Sequence, residues 1–412
     1  MLLALGGDGR NGNREESAEK TERVGRETES AVKILEELLI FGYRKNASDI
    51  HMEPWEDRFV IRMRIDGMMT MVREFDKSMY QPLVTRAKVI SGMDIAKKRV
   101  PQDGHFRETI KGIRLDMRTS VIPTIFGEKM VLRFLDRKTE IDHCGTFGMN
   151  EENYKKMIQI LRSPGGILYL TGPTGCGKTT TLYLILEYLL RQPVNIVTIE
   201  DPVERYLPGI SQIQVNEQAG LTFESGLRAV LRQDPDIIMI GEIRDQETAQ
   251  IAVQASITGH LVVSTLHTNS SASTISRLED MGVESYLLAD SVKGIIAQRL
   301  VRRLCPACKR EHLLTEEEKA FMNIPAFRPV KIYEPCGCEK CANTGYKGRI
   351  GIYEIMTITP KLKSLISKGV DIEDINKAAC DEGMHTLRQS AEKLVLEGVT
   401  SFQEMLKTTF EN

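Results

Sequence analysis

Gly172-Pro173-Thr174-Gly175-Cys176-Gly177-Lys178-Thr179 fills every position of a G-x-x-x-x-G-K-[ST] loop, and the chemistry of such a loop is phosphate binding. The glycines let backbone N–H groups turn inward around phosphate oxygens, and the following helix adds the positive end of its dipole. Lys178 is placed to reach the β- and γ-phosphates of a nucleoside triphosphate, and the Thr179 hydroxyl to ligate Mg²⁺. ATP and Mg²⁺ are therefore the expected ligands, with contacts from Gly172 through Thr180 and mainly a backbone N–H from Cys176. Three apolar runs end in reactive side chains: Ile196–Ile199 leads into Glu200-Asp201-Pro202-Val203-Glu204, Ile237–Ile240 into Gly241-Glu242, and Leu261–Leu266 into His267. In an open α/β sheet, ligands collect beyond the carboxyl ends of the strands. Carboxylates there can hold a cation or orient an attacking water, and an imidazole can sense the terminal phosphate. One acidic strand end alone reads equally well as a solvated loop charge; three beside one phosphate loop point to a site.

Cys305-Pro306-Ala307-Cys308 and Cys338-Glu339-Lys340-Cys341 form two Cys-x-x-Cys pairs. Together they can offer four thiolates to one tetrahedral Zn²⁺, and a closed four-sulfur site is structural rather than catalytic. Cys336 is a spare that could replace Cys338, although the spacing favours Cys338. A redox pair is the alternative, but neither pair opens a helix in a thioredoxin-like unit. A zinc-ribbon reader of nucleic acid is another, given Arg299, Arg302 and Arg303 nearby. Cys144 and Cys380 read as packing residues, and His51, His105 and His143 as structural or solvated.

These groups need a scaffold, and the hydrophobic pattern describes one. From about Phe147 the order is strand, loop, helix, repeated; the runs at Ile167–Leu170, Ile196–Ile199, Ile237–Ile240 and Leu261–Leu266 read as buried parallel strands. Helices are expected from Thr222, and from Asp245 as N-cap to a stop before Gly259. The result is a doubly wound α/β core. Upstream, Val32, Ile34, Leu35, Leu38 and Leu39 recur at helical spacing from Ala31. Alternation then takes over at Phe59, Ile61, Met63 and Ile65, with tight turns at Asp66-Gly67 and Lys111-Gly112 and another strand over Glu128–Phe134. This first domain is mixed α+β. After Pro360 the chain reads as helical, and Ser401-Phe402-Gln403-Glu404 has the form of a capping box. The expected division is a disordered polar tail over 1–28, an α+β domain over 29–140, the phosphate-binding core over 145–300, a tetracysteine module over 301–355 and a helical region over 356–412.

Bulk properties set limits on this reading. The 412 residues suffice for two or three domains, and the 41% apolar and 27% charged fractions are ordinary for a globular protein. With 55 Lys plus Arg against 57 Asp plus Glu, no global charge argues for nucleic acid. No apolar run approaches the roughly 18 residues that span a bilayer. Met1 to Leu5 is too short for a signal-peptide core and no basic residues precede it. A cytoplasmic location is expected, with any membrane contact made through a partner.

Several segments carry a family resemblance. Ile199-Glu200-Asp201-Pro202-Val203-Glu204 looks like the acidic box of the secretion-superfamily motors, the hexameric ATPases that assemble type IV pili and type II secretion pseudopili. Ile237 through Asp245 resembles their Walker B segment, and Thr258 through Thr268 their histidine box. Ser48 to Pro54, Arg62 to Gly67 and Pro101-Gln102-Asp103-Gly104 look like parts of their N-terminal domain. The tetracysteine insertion and Gly345-Tyr346-Lys347-Gly348-Arg349 resemble the assembly branch rather than the retraction motors. The likeness runs from about residue 31 to 407.

The resemblance implies a RecA-like P-loop core, a PAS-like N-terminal domain, a zinc insertion and a helical C-terminal region. It assigns hydrolysis to Glu242 and Glu204, a histidine-box role to His267, and a place near the γ-phosphate to Arg118 and Arg133. Gly241 stands where most P-loop NTPases carry Asp, so Glu242 is expected to act through water. The implied assembly is a homohexamer on the cytoplasmic face, driving a polytopic inner-membrane platform protein for a pilus, a secretion pseudopilus or a DNA-uptake filament. Relatives often carry further N-terminal domains, whereas a short polar tail precedes Ala31 here. Two other classes stay open: a nucleotide-gated scaffold with little turnover, and a nucleic-acid motor.

Overall fold

A computed structural model describes residues 31–135 and 147–409. The expected polar tail, His143 and Cys144 lie outside the described residues. The chain divides into two compact units at Asp136/Arg137.

The first unit opens with the expected helix, Ala31–Arg44, whose Ile34, Leu35, Leu38 and Leu39 are buried. It shares a core with the helix Tyr80–Ile90 and one face of a six-stranded sheet. The strands are β1 (Ala47–Pro54), β2 (Arg58–Ile65), β3 (Met68–Asp76), β4 (Gln102–Ile110), β5 (Ile113–Thr124) and β6 (Gly127–Phe134), in spatial order β3-β2-β1-β6-β5-β4 and antiparallel throughout. Both expected hairpin turns form. Asp66 and Gly67 take φ of 48° and 85°, and Lys111 and Gly112 take 48° and 80°, the pair of positive φ values that matches strand twist. Strand β1 is not among the expected strands: Asp49, His51 and Glu53 do alternate with Ile50 and Met52, but the run is short and its polar face is charged. Asp49 and Glu53 are only 4% and 5% exposed, since neighbouring cations cover them. Arg133 Nε donates to Asp49 at 2.7 Å, and Arg62 grips Glu53 through two bonds of 2.8 and 2.9 Å.

The second unit is built on a seven-stranded sheet of β7 (Gly166–Thr171), β8 (Ile196–Glu200), β9 (Ser211–Gln214), β10 (Ile237–Ile240), β11 (Leu261–Leu266), β12 (Val292–Leu304) and β15 (Tyr346–Thr357). The order is β15-β12-β7-β11-β10-β8-β9, and only β15 runs antiparallel to its neighbour. The four apolar runs are the buried strands β7, β8, β10 and β11. Alternate residues feed two cores: Ile167 and Tyr169 enter one, Leu168 and Leu170 the other. That is the double cover of a doubly wound sheet. Helices start as expected at Phe223, capped by Thr222, and at Gln246, capped by Asp245.

Two long strands were not foreseen. β12 carries Gln298, Arg299, Arg302 and Arg303, which mask its apolar alternation, and β15 pairs with it along most of its length. The stretch 301–355 is thus entered and left by strands of the core sheet, with the small hairpin β13 (Arg310–Leu313) and β14 (Lys331–Glu334) between them. Four helices follow: Pro360–Ser367, Ile372–Asp381, Leu387–Leu396 and Phe402–Thr409. Only half of the expected capping box forms. Ser401 Oγ accepts the Glu404 N–H at 3.1 Å, but the Glu404 carboxylate turns to Arg302, whose Nη2 lies 2.6 Å away. A charged partner outbids a backbone N–H for a carboxylate this buried.

Candidate active site

The loop Gly172–Gly177 joins β7 to the helix Lys178–Leu189. Two glycines have local reasons. A Cβ on Gly172 (φ 148°) would lie 2.5 Å from the backbone Gln298 O, and Gly177 takes a left-handed φ of 91°. Pro173, Thr174, Gly175 and Thr180 are exposed, Thr179 is half-buried and Cys176 is buried. Lys178 is 8% exposed; its Nζ donates to Gly172 O at 2.5 Å and Pro173 O at 3.2 Å. Burial lowers its pKa below the ordinary lysine value.

Beyond the parallel strand ends, three predicted residues come together. His267 Nδ1 lies 3.5 Å from Lys178 Nζ, and His267 Nε2 lies 3.4 Å from Glu242 Oε2. Lys178 can only donate, so a neutral ring in this contact would accept at Nδ1 and turn its N–H toward the carboxylate. Arg244 donates to the other oxygen of Glu242. Gly241 has a local reason as well: a Cβ there would meet Ile199 O at 3.3 Å and Glu200 Cα at 3.4 Å, both backbone atoms of the paired strand.

The acidic segment after β8 splits in two. Glu200 is 4% exposed and accepts three hydrogen bonds, from Tyr183 Oη, from Thr198 Oγ1 at 2.6 Å and from Gln212 Nε2 at 3.0 Å. Three bonds and burial make it a structural carboxylate rather than an open one. Glu204 is exposed, and its backbone N–H donates to Tyr183 Oη at 3.1 Å. Gln298 on β12 went unnoticed in the sequence. It donates to Cys176 O at 3.0 Å and accepts from Thr181 Oγ1 at 2.9 Å, which braces the phosphate loop from the next strand. Only its place beside β7 reveals that role.

Arg118 and Arg133 face each other across β5 and β6, both exposed, in the first unit. In the second unit, the Sγ atoms of Cys305, Cys308, Cys338 and Cys341 all lie within 4.8 Å of one another. Three of the separations are 4.0, 3.8 and 3.7 Å. A tetrahedron with metal–sulfur bonds of about 2.3 Å has edges of about 3.8 Å, so the donor set fits Zn²⁺. Cys336 is exposed and outside the cluster. The Cys338 and Gly345 amides donate to Cys341 Sγ at 3.2 and 3.3 Å. Burial raises the Cys341 pKa, but these bonds and the neighbouring thiols outweigh it and bring the thiol to about 7. Of the three arginines near the cysteines, Arg299 and Arg302 are spent internally, on Asn269 O and on Glu404, while Arg303 is exposed.

Among the described residues no helix is long and apolar enough to cross a membrane. Residues 25–407 match the family described as Type II/IV secretion system protein. The chain is 46% identical to the type II secretion system protein E of Pseudomonas aeruginosa, over 92% of its own length and 76% of that protein's. It is 46% identical to the type IV pilus assembly ATPase PilB of Acinetobacter baylyi, over 92% and 66%. With the type II secretion system ATPase E of Vibrio cholerae the identity is 42%, over 92% and 76%. Among solved structures the fold is like that of the Legionella pneumophila ATPase DotB (TM-score 0.69, 20% identity, 94% and 98% covered). It is also like that of the pilus retraction motor PilT with bound ADP (0.61, 24%, 91% and 96%).

Proposed function

The chain belongs to the type II/IV secretion system protein family, and from that premise we propose that it hydrolyses ATP to ADP and phosphate to drive assembly of a type IV pilus or a type II secretion pseudopilus. The observation that carries the ATPase reading is the contact chain Lys178–His267–Glu242–Arg244 beside a complete phosphate loop. Lys178 leaves its loop carbonyls for the β- and γ-phosphates. Thr179 is the residue that would hold Mg²⁺, whose chemistry there is to neutralise charge shared by those phosphates. Glu242, oriented by Arg244 and His267, polarises the attacking water, and His267 reports the terminal phosphate back to the carboxylate. Glu204 is the second hydrolytic carboxylate.

In this proposal Cys305, Cys308, Cys338 and Cys341 hold one Zn²⁺ that closes the chain segment between β12 and β15. Arg118 and Arg133 act on the γ-phosphate. The working form is a homohexamer on the cytoplasmic side of the membrane, acting on an integral platform protein. The names of the relatives, secretion and pilus assembly proteins, support this setting.

Steady-state phosphate release tests the chemistry. Lys178→Ala is expected to abolish turnover. Glu242→Gln is expected to keep ATP binding and slow hydrolysis by roughly 10² or more, since it preserves shape and removes a carboxylate. Wild-type turnover in Glu242→Gln would move the base to Glu204. Tight ATP binding by the unaltered protein without phosphate release would favour the nucleotide-gated scaffold.

A further inference from the structure

We propose that Tyr183 is a positioning residue for hydrolysis: its hydroxyl sets the loop beyond β8 and thereby aims Glu204. The inference rests on the hydrolytic reading of Glu204.

Tyr183 lies on the helix that begins at Lys178, and it is 4% exposed. A phenol has one proton to give and two lone pairs. All three are used. The hydroxyl donates to Glu200 and accepts the backbone N–H groups of Glu204 at 3.1 Å and Arg205 at 3.3 Å. The direction of each bond is fixed, because an amide can only donate and an ionised carboxylate can only accept. Glu200 is therefore an anchor: buried, and held by Thr198 and Gln212 as well. Burial and the adjoining Glu200 raise the Tyr183 pKa, which keeps the proton on the phenol at any working pH.

The rest of the loop is clamped to the same two supports. From the helix, Glu187 pairs with Arg205, whose guanidinium also lies 5.4 Å from the centre of the Tyr183 ring. From the edge strand β9, Gln212 donates to Arg205 O at 3.0 Å and accepts the Leu207 N–H at 2.7 Å. Gln214 accepts the Val203 N–H at 3.3 Å. The hydroxyl binds the backbone of Glu204 itself, and it sits on the helix whose first residue is the phosphate-binding lysine. A shift of that helix when phosphates engage Lys178 is delivered directly to Glu204.

The test is Tyr183→Phe, which removes one oxygen and keeps the ring beneath Arg205. Because a misplacement of about 1 Å can cost on the order of 10² in rate, kcat is expected to fall roughly tenfold to 10²-fold while KM for ATP and Kd for ADP stay within about twofold. A purely structural loss would weaken ADP binding too, and that result overturns the assignment. In the Tyr183→Phe, Glu204→Gln double variant, turnover should equal that of Glu204→Gln alone, since both changes act through one carboxylate. Multiplying losses overturn the proposal, as does full turnover in Tyr183→Phe beside a slow Glu204→Gln. Wild-type turnover in Glu204→Gln is a separate result: it removes the hydrolytic reading of Glu204, and the inference with it. Should Tyr183→Phe fail to fold, Gln212→Met frees the same loop from β9 at Arg205 and Leu207; a kcat loss at unchanged ADP affinity supports the inference, and an unchanged kcat overturns it.

Discussion

At the scale of single residues, burial decides which of several similar groups can act. Glu200 and Glu204 belong to one short acidic motif, and nothing in their spacing separates them. Only the fold shows that Tyr183, Thr198 and Gln212 engage a buried Glu200 while Glu204 stays exposed. Gly241 is similar: the motif shows a glycine where an acid is usual, and the paired backbone of Ile199 and Glu200 supplies the steric reason. Lys178 was legible throughout, yet its depressed pKa was not, because burial among loop carbonyls is a tertiary fact. It has a measurable consequence. Phosphate oxygens favour the ammonium, so nucleotide binding should raise this pKa back toward or past the ordinary value of about 10.4. Between the free and bound values, binding takes up a proton. Affinity for ADP is thus full below the free-state pKa of Lys178 and weakens as pH rises through that window. Calorimetric titration in alkaline buffers of different ionisation enthalpy should show proton uptake in the wild type and none from this group in Lys178→Met. Proton release in the wild type would contradict the sign.

At the scale of elements, strands buried on both faces and helices with capped starts could be read directly from the sequence. β7, β8, β10 and β11 are short unbroken apolar runs, and Thr222 and Asp245 do cap helices. β1 escaped because its alternation is short and carries charge on one face, and β12 because polar side chains interrupt its apolar run; each has a charged residue satisfied by a partner distant in sequence: Asp49 by Arg133, and Arg302 by Glu404. The cysteines lie at the outer end of β12, whereas Gln298 is held in register with Tyr353 of β15 and its neighbour Ala297 with Thr171 of β7. Metal loss should therefore act locally. We expect about one zinc per chain by elemental analysis, unchanged in Cys336→Ser and lost in Cys338→Ser, because four sulfurs are needed to close a tetrahedral site. Metal retained in Cys338→Ser and lost in Cys336→Ser would reverse the ligand choice. Chelation should raise proteolysis and hydrogen exchange around β13 and β14 while ADP still binds; a matching loss of ADP binding would mean that β12 transmits the damage.

At the scale of the whole molecule, the hydrolytic groups and the two arginines belong to different compact units. Like charges directly opposite on neighbouring strands destabilise a sheet, so the Arg118–Arg133 pair calls for an anion. Asp49 provides one for Arg133. Among the described residues no carboxylate pairs with exposed Arg118; in the proposed function its partner is the γ-phosphate. Charge supplied this way matters most in the transition state, where it is greatest on the transferring group. Arg118→Ala and Arg133→Ala should therefore bind ATP nearly normally and hydrolyse it on the order of 10³-fold more slowly, the scale of loss for such an arginine in other phosphoryl-transfer enzymes. Arg133→Ala also removes the 2.7 Å partner of the buried Asp49 and leaves it the longer 3.9 Å contact with Arg64, so its thermal midpoint should drop where that of Arg118→Ala does not; this separates the structural share of Arg133 from the catalytic share proposed for it. If subunits complete one another's sites, specific activity should rise with protein concentration until the oligomer saturates. A catalytically dead Lys178→Ala chain mixed with Arg118→Ala should then restore turnover by pairing an intact phosphate loop with an intact arginine. Full activity in the Arg118→Ala, Arg133→Ala double variant rules out any role for the pair. Activity independent of concentration in a preparation shown to be monomeric confines them to their own chain.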